Sequence, residues 1–171
     1  MKRTTTLLAG LLLPLAGGCA QPSDLYQRAT VVMVDEQICV SVAGDSGDRS
    51  RSTRVAGVTL SRVSGDRTEA VWELDFTGAD EPFFLVPGKC LRPGAPHGDG
   101  VVEVLLETPV TGVHYALSIM GTVPTDEPGG DGLATRLYRE NFCLKQQTTS
   151  VTSIVPVPWG AGRPQWEVCA D

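Results

Sequence analysis

The sequence predicts an all-β fold, a disulfide-stapled antiparallel β-sandwich of immunoglobulin-like appearance. Three observations predict it. Short runs rich in Val, Ile, Thr and aromatic residues recur along the chain, separated by clusters of Gly, Pro, Asp and Ser. Several runs alternate apolar and polar residues with the two-residue period of a half-buried strand. Four cysteines, Cys39, Cys90, Cys143 and Cys169, lie among the runs and suit two cross-links.

Residues 29–34 (Ala-Thr-Val-Val-Met-Val) form a first strand and 35–37 a turn. In residues 38–42, Ile38, Val40 and Val42 share one strand face. A polar loop over 44–53 precedes a hairpin of 55–63 and 67–76, in which Ala70, Trp72, Leu74 and Phe76 share a face and Trp72 belongs to the core. A short strand, 83–86, ends at Pro87-Gly88, and 91–100 is a Pro/Gly loop. Residues 101–106 and 113–120 are strands. In the second, Val113, Tyr115, Leu117 and Ile119 alternate with His114, Ala116, Ser118 and Met120. Glu103 and Glu107 are expected on the exposed face of theirs. Residues 124–132 form another loop. Residues 133–145 have some helical character, although Tyr138, Phe142 and Leu144 also suit a strand. Residues 151–157 are extended but interrupted by proline, which places them at an edge. Eight or nine strands suffice for two sheets. An immunoglobulin domain sets a tryptophan soon after its first cysteine. Trp72 comes too late after Cys39 for that topology.

The N-terminus reads as an export signal. Lys2 and Arg3 give a positive end, residues 7–15 a short apolar core, and Ala16, Gly17 and Gly18 a small-residue site before Cys19. That core is too short for a permanent span, which needs about 20 apolar residues. Leu15-Ala16-Gly17-Gly18-Cys19 resembles a bacterial lipobox. The resemblance implies diacylglycerol on the Cys19 sulfur, cleavage before Cys19 and acylation of the new amine. Ala20 stands where an aspartate would retain a lipoprotein in the inner membrane, so the expected place is the outer membrane, facing the periplasm. The expected organisation is signal peptide 1–18, lipidated N-terminus and tether 19–28, and one β domain 29–171. No later segment has the length and apolarity of a second span.

Losing Lys2 and Arg3 takes the formal charge from −6 to −8. So acidic a domain disfavours nucleic acid and anionic lipid surfaces and favours a basic partner. In an exported chain the four remaining cysteines point to disulfides over zinc, since they lack paired short spacing. Four cysteines allow three pairings and the sequence does not decide among them; Cys39–Cys90 with Cys143–Cys169 is the preferred one.

Candidates for chemistry are sparse. Gly44-Asp45-Ser46-Gly47 resembles the nucleophile peptide of chymotrypsin-like proteases, but those need a histidine upstream of the serine, and His97 and His114 both follow it. A turn is the better reading. His97 and Asp99 share a Gly-rich loop, and Asp80-Glu81, Asp126-Glu127 and Asp131 sit among Gly and Pro. His97 is expected to be structural, and the acidic clusters to be solvated loop charges, because the calcium-loop pattern is missing. No zinc helix, phosphate loop or dinucleotide fingerprint occurs, so no metal, cofactor or catalytic residue is expected. For partner contact, Arg49 and Arg51 lie with Arg54 in a basic run, and Trp159 sits amid Pro and Gly as the most exposed-looking aromatic.

The order of motifs also resembles a known group. A lipobox and tether precede Ala29-Thr-Val-Val-Met-Val-Asp-Glu-Gln-Ile-Cys-Val-Ser-Val42. Phe83-Phe-Leu-Val-Pro-Gly-Lys-Cys-Leu-Arg-Pro93, Gly112-Val-His-Tyr-Ala-Leu117 and Phe142-Cys-Leu144 follow. This layout resembles the periplasmic immunity lipoproteins of type VI secretion systems. The resemblance implies a non-catalytic binder, anchored in the membrane through Cys19, that neutralises a delivered toxin. The alternative expectation is a structural or envelope-assembly lipoprotein with a housekeeping partner. An enzyme acting on envelope polymers is a third.

Overall fold

The computed structural model describes residues 25–42, 52–86, 88–124, 132–148 and 151–170. Cys19, Arg49, Arg51, the Gly44–Gly47 turn, Asp126, Glu127 and Asp131 lie outside the described residues. The strands are β1 (Tyr26–Val34), β2 (Gln37–Val42), β3 (Thr53–Ser64), β4 (Arg67–Asp75), β5 (Phe84–Leu85), β6 (Val102–Leu105), β7 (His114–Pro124), β8 (Leu133–Thr148), β9 (Val151–Pro156), β10 (Trp159–Gly160) and β11 (Arg163–Pro164). A 3-10 turn, Trp166–Cys169, follows β11.

Local chemistry sets the hairpins. Asp35 and Glu36, at φ of 50° and 63°, make the two-residue turn between β1 and β2. Gly65, at φ 58°, opens the turn between β3 and β4. The fold is all-β as expected and consistent with a sandwich-like arrangement: among the described residues a nine-stranded, curled, mixed sheet follows the path β2-β1-β8-β7-β3-β4-β6, and β10 and β11 form a separate two-stranded sheet. β5 shares the edge of β3 with β4, and β9 shares the edge of β8 with β1. Among the described residues every ladder is antiparallel except one: Tyr26–Arg28 run parallel to Leu137–Arg139. These three residues were expected in the tether and instead belong to the sheet.

Irregularities in the ladders provide the curl. An extra residue in one strand bends it and increases its twist. Between Leu60 and Ser61 the register with β4 shifts, leaving Val71 without an opposite residue. A second shift, between Val55 and Gly57, falls where β3 crosses Gly121 of β7. A Cβ at Gly121 would lie 2.5 Å from the Arg54 carbonyl oxygen, so the close crossing requires glycine. Curling brings the two ends of the sheet to the 90–94 segment. Leu91 exchanges two 2.9 Å backbone hydrogen bonds with Val40 of β2, and the Gly94 N–H donates to the Glu103 carboxylate of β6 at 2.7 Å.

The core fills the inside of the curl. β7 behaves as its alternation predicts, with Tyr115, Leu117 and Ile119 buried. Leu60, Trp72, Leu74, Phe142 and Val40 meet them from the other strands. The shift at Val71 alters the expected face of β4: Val71 is buried and Ala70 is only half-buried. Glu103 also departs from expectation. It turns toward the core and accepts the Trp72 indole N–H at 2.7 Å, since a buried indole needs an acceptor. The 133–145 stretch is strand throughout, as part of β8. Both disulfides form, Cys39–Cys90 and Cys143–Cys169. The first ties β2 to the segment that closes the curl. The second ties the terminal 3-10 turn to β8, where Trp166 stacks on His114 with ring centroids 4.4 Å apart.

Candidate functional site

Two exposed surfaces stand out. The first arises where β1 and β9 take over from one another along the edge of β8. β1 pairs with β8 up to Arg139, and β9 pairs with it from Phe142 onward. The two strands splay at Glu140 and Asn141, and the Val157 N–H closes the junction on the Asn141 carbonyl at 2.7 Å. A groove of about 510 Å³ opens there, lined by Tyr26, Arg28, Arg139, Glu140, Val157 and Trp159 among others.

Glu140 forms the floor of this groove. It shares the inward face of β8 with Tyr138 and Phe142 and is only 8% exposed. A carboxylate so placed needs a charged, hydrogen-bonded partner. Arg28 supplies it: Nε donates to one carboxylate oxygen at 2.5 Å and a terminal nitrogen donates to the other at 3.3 Å. That hydrogen bond, followed by the carboxylate's charge, raises the Arg28 pKa above its ordinary value. The Arg28 side chain is nevertheless 67% exposed. On the rim, the Arg139 guanidinium lies 5.0 Å over the Tyr26 ring, a cation–π distance. Tyr26 is 50% exposed and Trp159, in the β10–β11 hairpin, 64% exposed. Trp159 was legible as an exposed aromatic. Tyr26, Arg28 and Glu140 were not, because only the parallel pairing of β1 with β8 brings them together.

The second surface is β6, the last strand of the sheet. Among the described residues no strand pairs with its outer edge. Val102 and Val104 are exposed on one face, and Leu106 follows them at 67% exposure. Their cross-strand neighbours on β4 are Asp75 and Glu73, both exposed. An apolar strip thus runs beside two carboxylates. Hydrogen bonds from the Thr77 hydroxyl and N–H, at 2.6 and 2.8 Å, hold the Asp75 pKa below its ordinary value. The Leu106 and Glu107 N–H groups donate to the Val71 carbonyl at 2.9 and 3.2 Å, and Glu107 is ion-paired with Arg62 at 2.9 Å. This strip escaped the sequence reading, since nothing in its residues says which strand ends a sheet.

Of the remaining candidates, His97 has local partners: it hydrogen-bonds the Arg92 carbonyl at 3.1 Å and meets the edge of Phe76. Asp80, Glu81, His97 and Asp99 line one open depression. Among the described residues no group of three His, Cys, Asp or Glu side chains is placed to hold a metal ion. Arg54 is exposed on β3, between Thr122 and Phe84. No helix among the described residues is long and apolar enough to cross a membrane. Comparison with family models, with curated proteins and with solved structures found no match in any of the three.

Proposed function

We propose that the chain is a non-catalytic protein-binding domain of the bacterial envelope. It is lipid-anchored at Cys19 in the outer membrane, facing the periplasm, and confers immunity against a toxin delivered by a type VI secretion system. The observation that carries the binding role is the free edge of β6, where Val102, Val104 and Leu106 are exposed beside Glu73 and Asp75. Soluble proteins usually blunt a sheet edge with charge, proline or a covering segment. An apolar edge left open suits strand addition by a partner, with main-chain hydrogen bonds giving affinity and side-chain pockets giving selectivity. The flanking carboxylates select a partner strand bearing Lys or Arg, which agrees with the acidic charge of the whole domain.

The test is competition between strains. Deleting the gene is expected to sensitise cells to a toxin-delivering neighbour. Wild-type protein is expected to restore survival, and a Val104→Lys variant, exported and folded, to fail. Unchanged survival of the deletion strain across many attackers would refute the immunity role. Full rescue by Val104→Lys would remove β6 from it.

A further inference from the structure

The groove at the start of β1 has an occupant suggested by its distance from the anchor. Cys19 precedes Tyr26 by seven residues, so even a fully extended tether holds Tyr26 within about 25 Å of the lipidated sulfur. That reach is shorter than the width of a domain of this size, about 35–40 Å across. The end of the domain that carries Tyr26 therefore stays beside the bilayer at high effective concentration.

The side chains at that end are those that settle at a membrane–water boundary. Tyr26 and Trp159 are exposed on the same groove, each with an apolar ring and a polar tip. Val157 and Pro158 extend the apolar lining between them. The lining has two guanidiniums, Arg28 and Arg139, against one carboxylate, Glu140, which is buried beneath Arg28. What faces outward is thus positive in a domain whose total charge is negative, and guanidinium is well matched to phosphate oxygens.

We propose that this groove is a phospholipid-docking surface, with Trp159 and Tyr26 seated at headgroup level and Arg28 and Arg139 on lipid phosphates. The domain then sits on the bilayer by its β1–β9 end. No residue of β6 lines this groove, so docking there does not use the β6 edge. The inference rests on the lipid-anchor reading.

The test uses the full lipoprotein, extracted from membranes and reconstituted into vesicles of phosphatidylethanolamine and phosphatidylglycerol with brominated acyl chains. Bromine quenches tryptophan only at close range. Trp72 is enclosed in the core and Trp166 is stacked on His114, so the component removed by Trp159→Phe isolates the groove. That component is expected to lose at least half its intensity in brominated vesicles and to be shielded from acrylamide there. In Arg139→Gln the quenching is expected to fall at least twofold. A Trp159 component untouched by bromine would overturn the proposal, whether it stays open to acrylamide or a protein partner shields it. Quenching identical in wild type and Arg139→Gln would overturn the phosphate contact. Mass analysis keeps the two readings apart: an unmodified Cys19 defeats the anchor, whereas an acylated Cys19 with an unquenched Trp159 defeats only the docking.

Discussion

Arg28 and Glu140 are 112 residues apart in sequence and joined by a two-pronged ion pair across the parallel ladder of β1 and β8. The carboxylate is buried and the guanidinium is mostly in solvent. Removing Arg28 alone leaves a buried charge without its partner, whereas removing both leaves only a polar vacancy. Arg28→Met is expected to cost about 2 kcal/mol in urea unfolding, discounted from the usual buried-pair value because Arg28 is exposed. Arg28→Met combined with Glu140→Gln is expected to recover more than half of that loss. Equal losses in the single and double variants would mean the pair contributes nothing specific.

Glu103 holds two parts of the closed curl together. One carboxylate oxygen accepts the Trp72 indole N–H and the Gly94 N–H, both at 2.7 Å. Glu103→Leu leaves a fully buried indole N–H unsatisfied and releases the Gly94 N–H from β6. The expected cost is about 1–3 kcal/mol. Faster amide exchange at Gly94 than in wild type would locate the effect. Trp72→Phe removes the donor instead of the acceptor and is expected to leave Gly94 protected by the same carboxylate.

These two carboxylates also mark the limit of what the sequence makes legible. β7 was readable because its inward residues are all apolar. The 133–145 stretch looked partly helical because Glu140 breaks the apolar alternation of β8. Its neutralising partner, Arg28, belongs to a segment read as tether. Glu103 looked solvent-facing for the same reason, since no local pattern announces that Trp72 needs an acceptor. The register shift at Val71 rotated a strand face that simple alternation had assigned. The sequence left three disulfide pairings open, because the cysteines that close the curl, Cys39 and Cys90, are neighbours only where the sheet bends. Trp159 was identifiable from its Pro/Gly surroundings, but the groove it borders needed the splaying of β1 from β9. The apolar strip on β6 needed the strand order.

The two disulfides should differ in what they hold more than in how much. Their separations of 51 and 26 residues give loop-entropy contributions of about 4 and 3.5 kcal/mol. Replacing Cys39 and Cys90 by Ala is expected to lower Tm by roughly 10 °C, at 2–4 °C per kcal/mol for a domain of this size. It should also loosen β2, whose residues from Ile38 to Val42 are all buried. Replacing Cys143 and Cys169 frees a terminal turn with no buried residue of its own. Brief proteolysis is expected to trim that variant after β11 while the rest stays intact. Trimming of both variants at the same sites would show that the bridges act globally.

Tyr115 makes stability depend on alkaline pH. Its ring is in the core against Phe142, with centroids 5.5 Å apart, and its hydroxyl accepts the Val110 N–H at 2.8 Å. Burial raises the phenol's pKa above its ordinary value, more than the Val110 hydrogen bond lowers it. A raised folded-state pKa means the native chain keeps its proton while the unfolded chain loses it. The contribution is therefore fully present below about pH 10 and declines as pH rises through the folded-state value. Urea midpoints are expected to fall above pH 10 more steeply in wild type than in Tyr115→Phe. At pH 7 the same variant is expected to be less stable by about 1 kcal/mol, because the Val110 N–H loses its acceptor. The two curves should approach one another as pH rises. Parallel curves would mean that Tyr115 is not the group responsible for the alkaline slope.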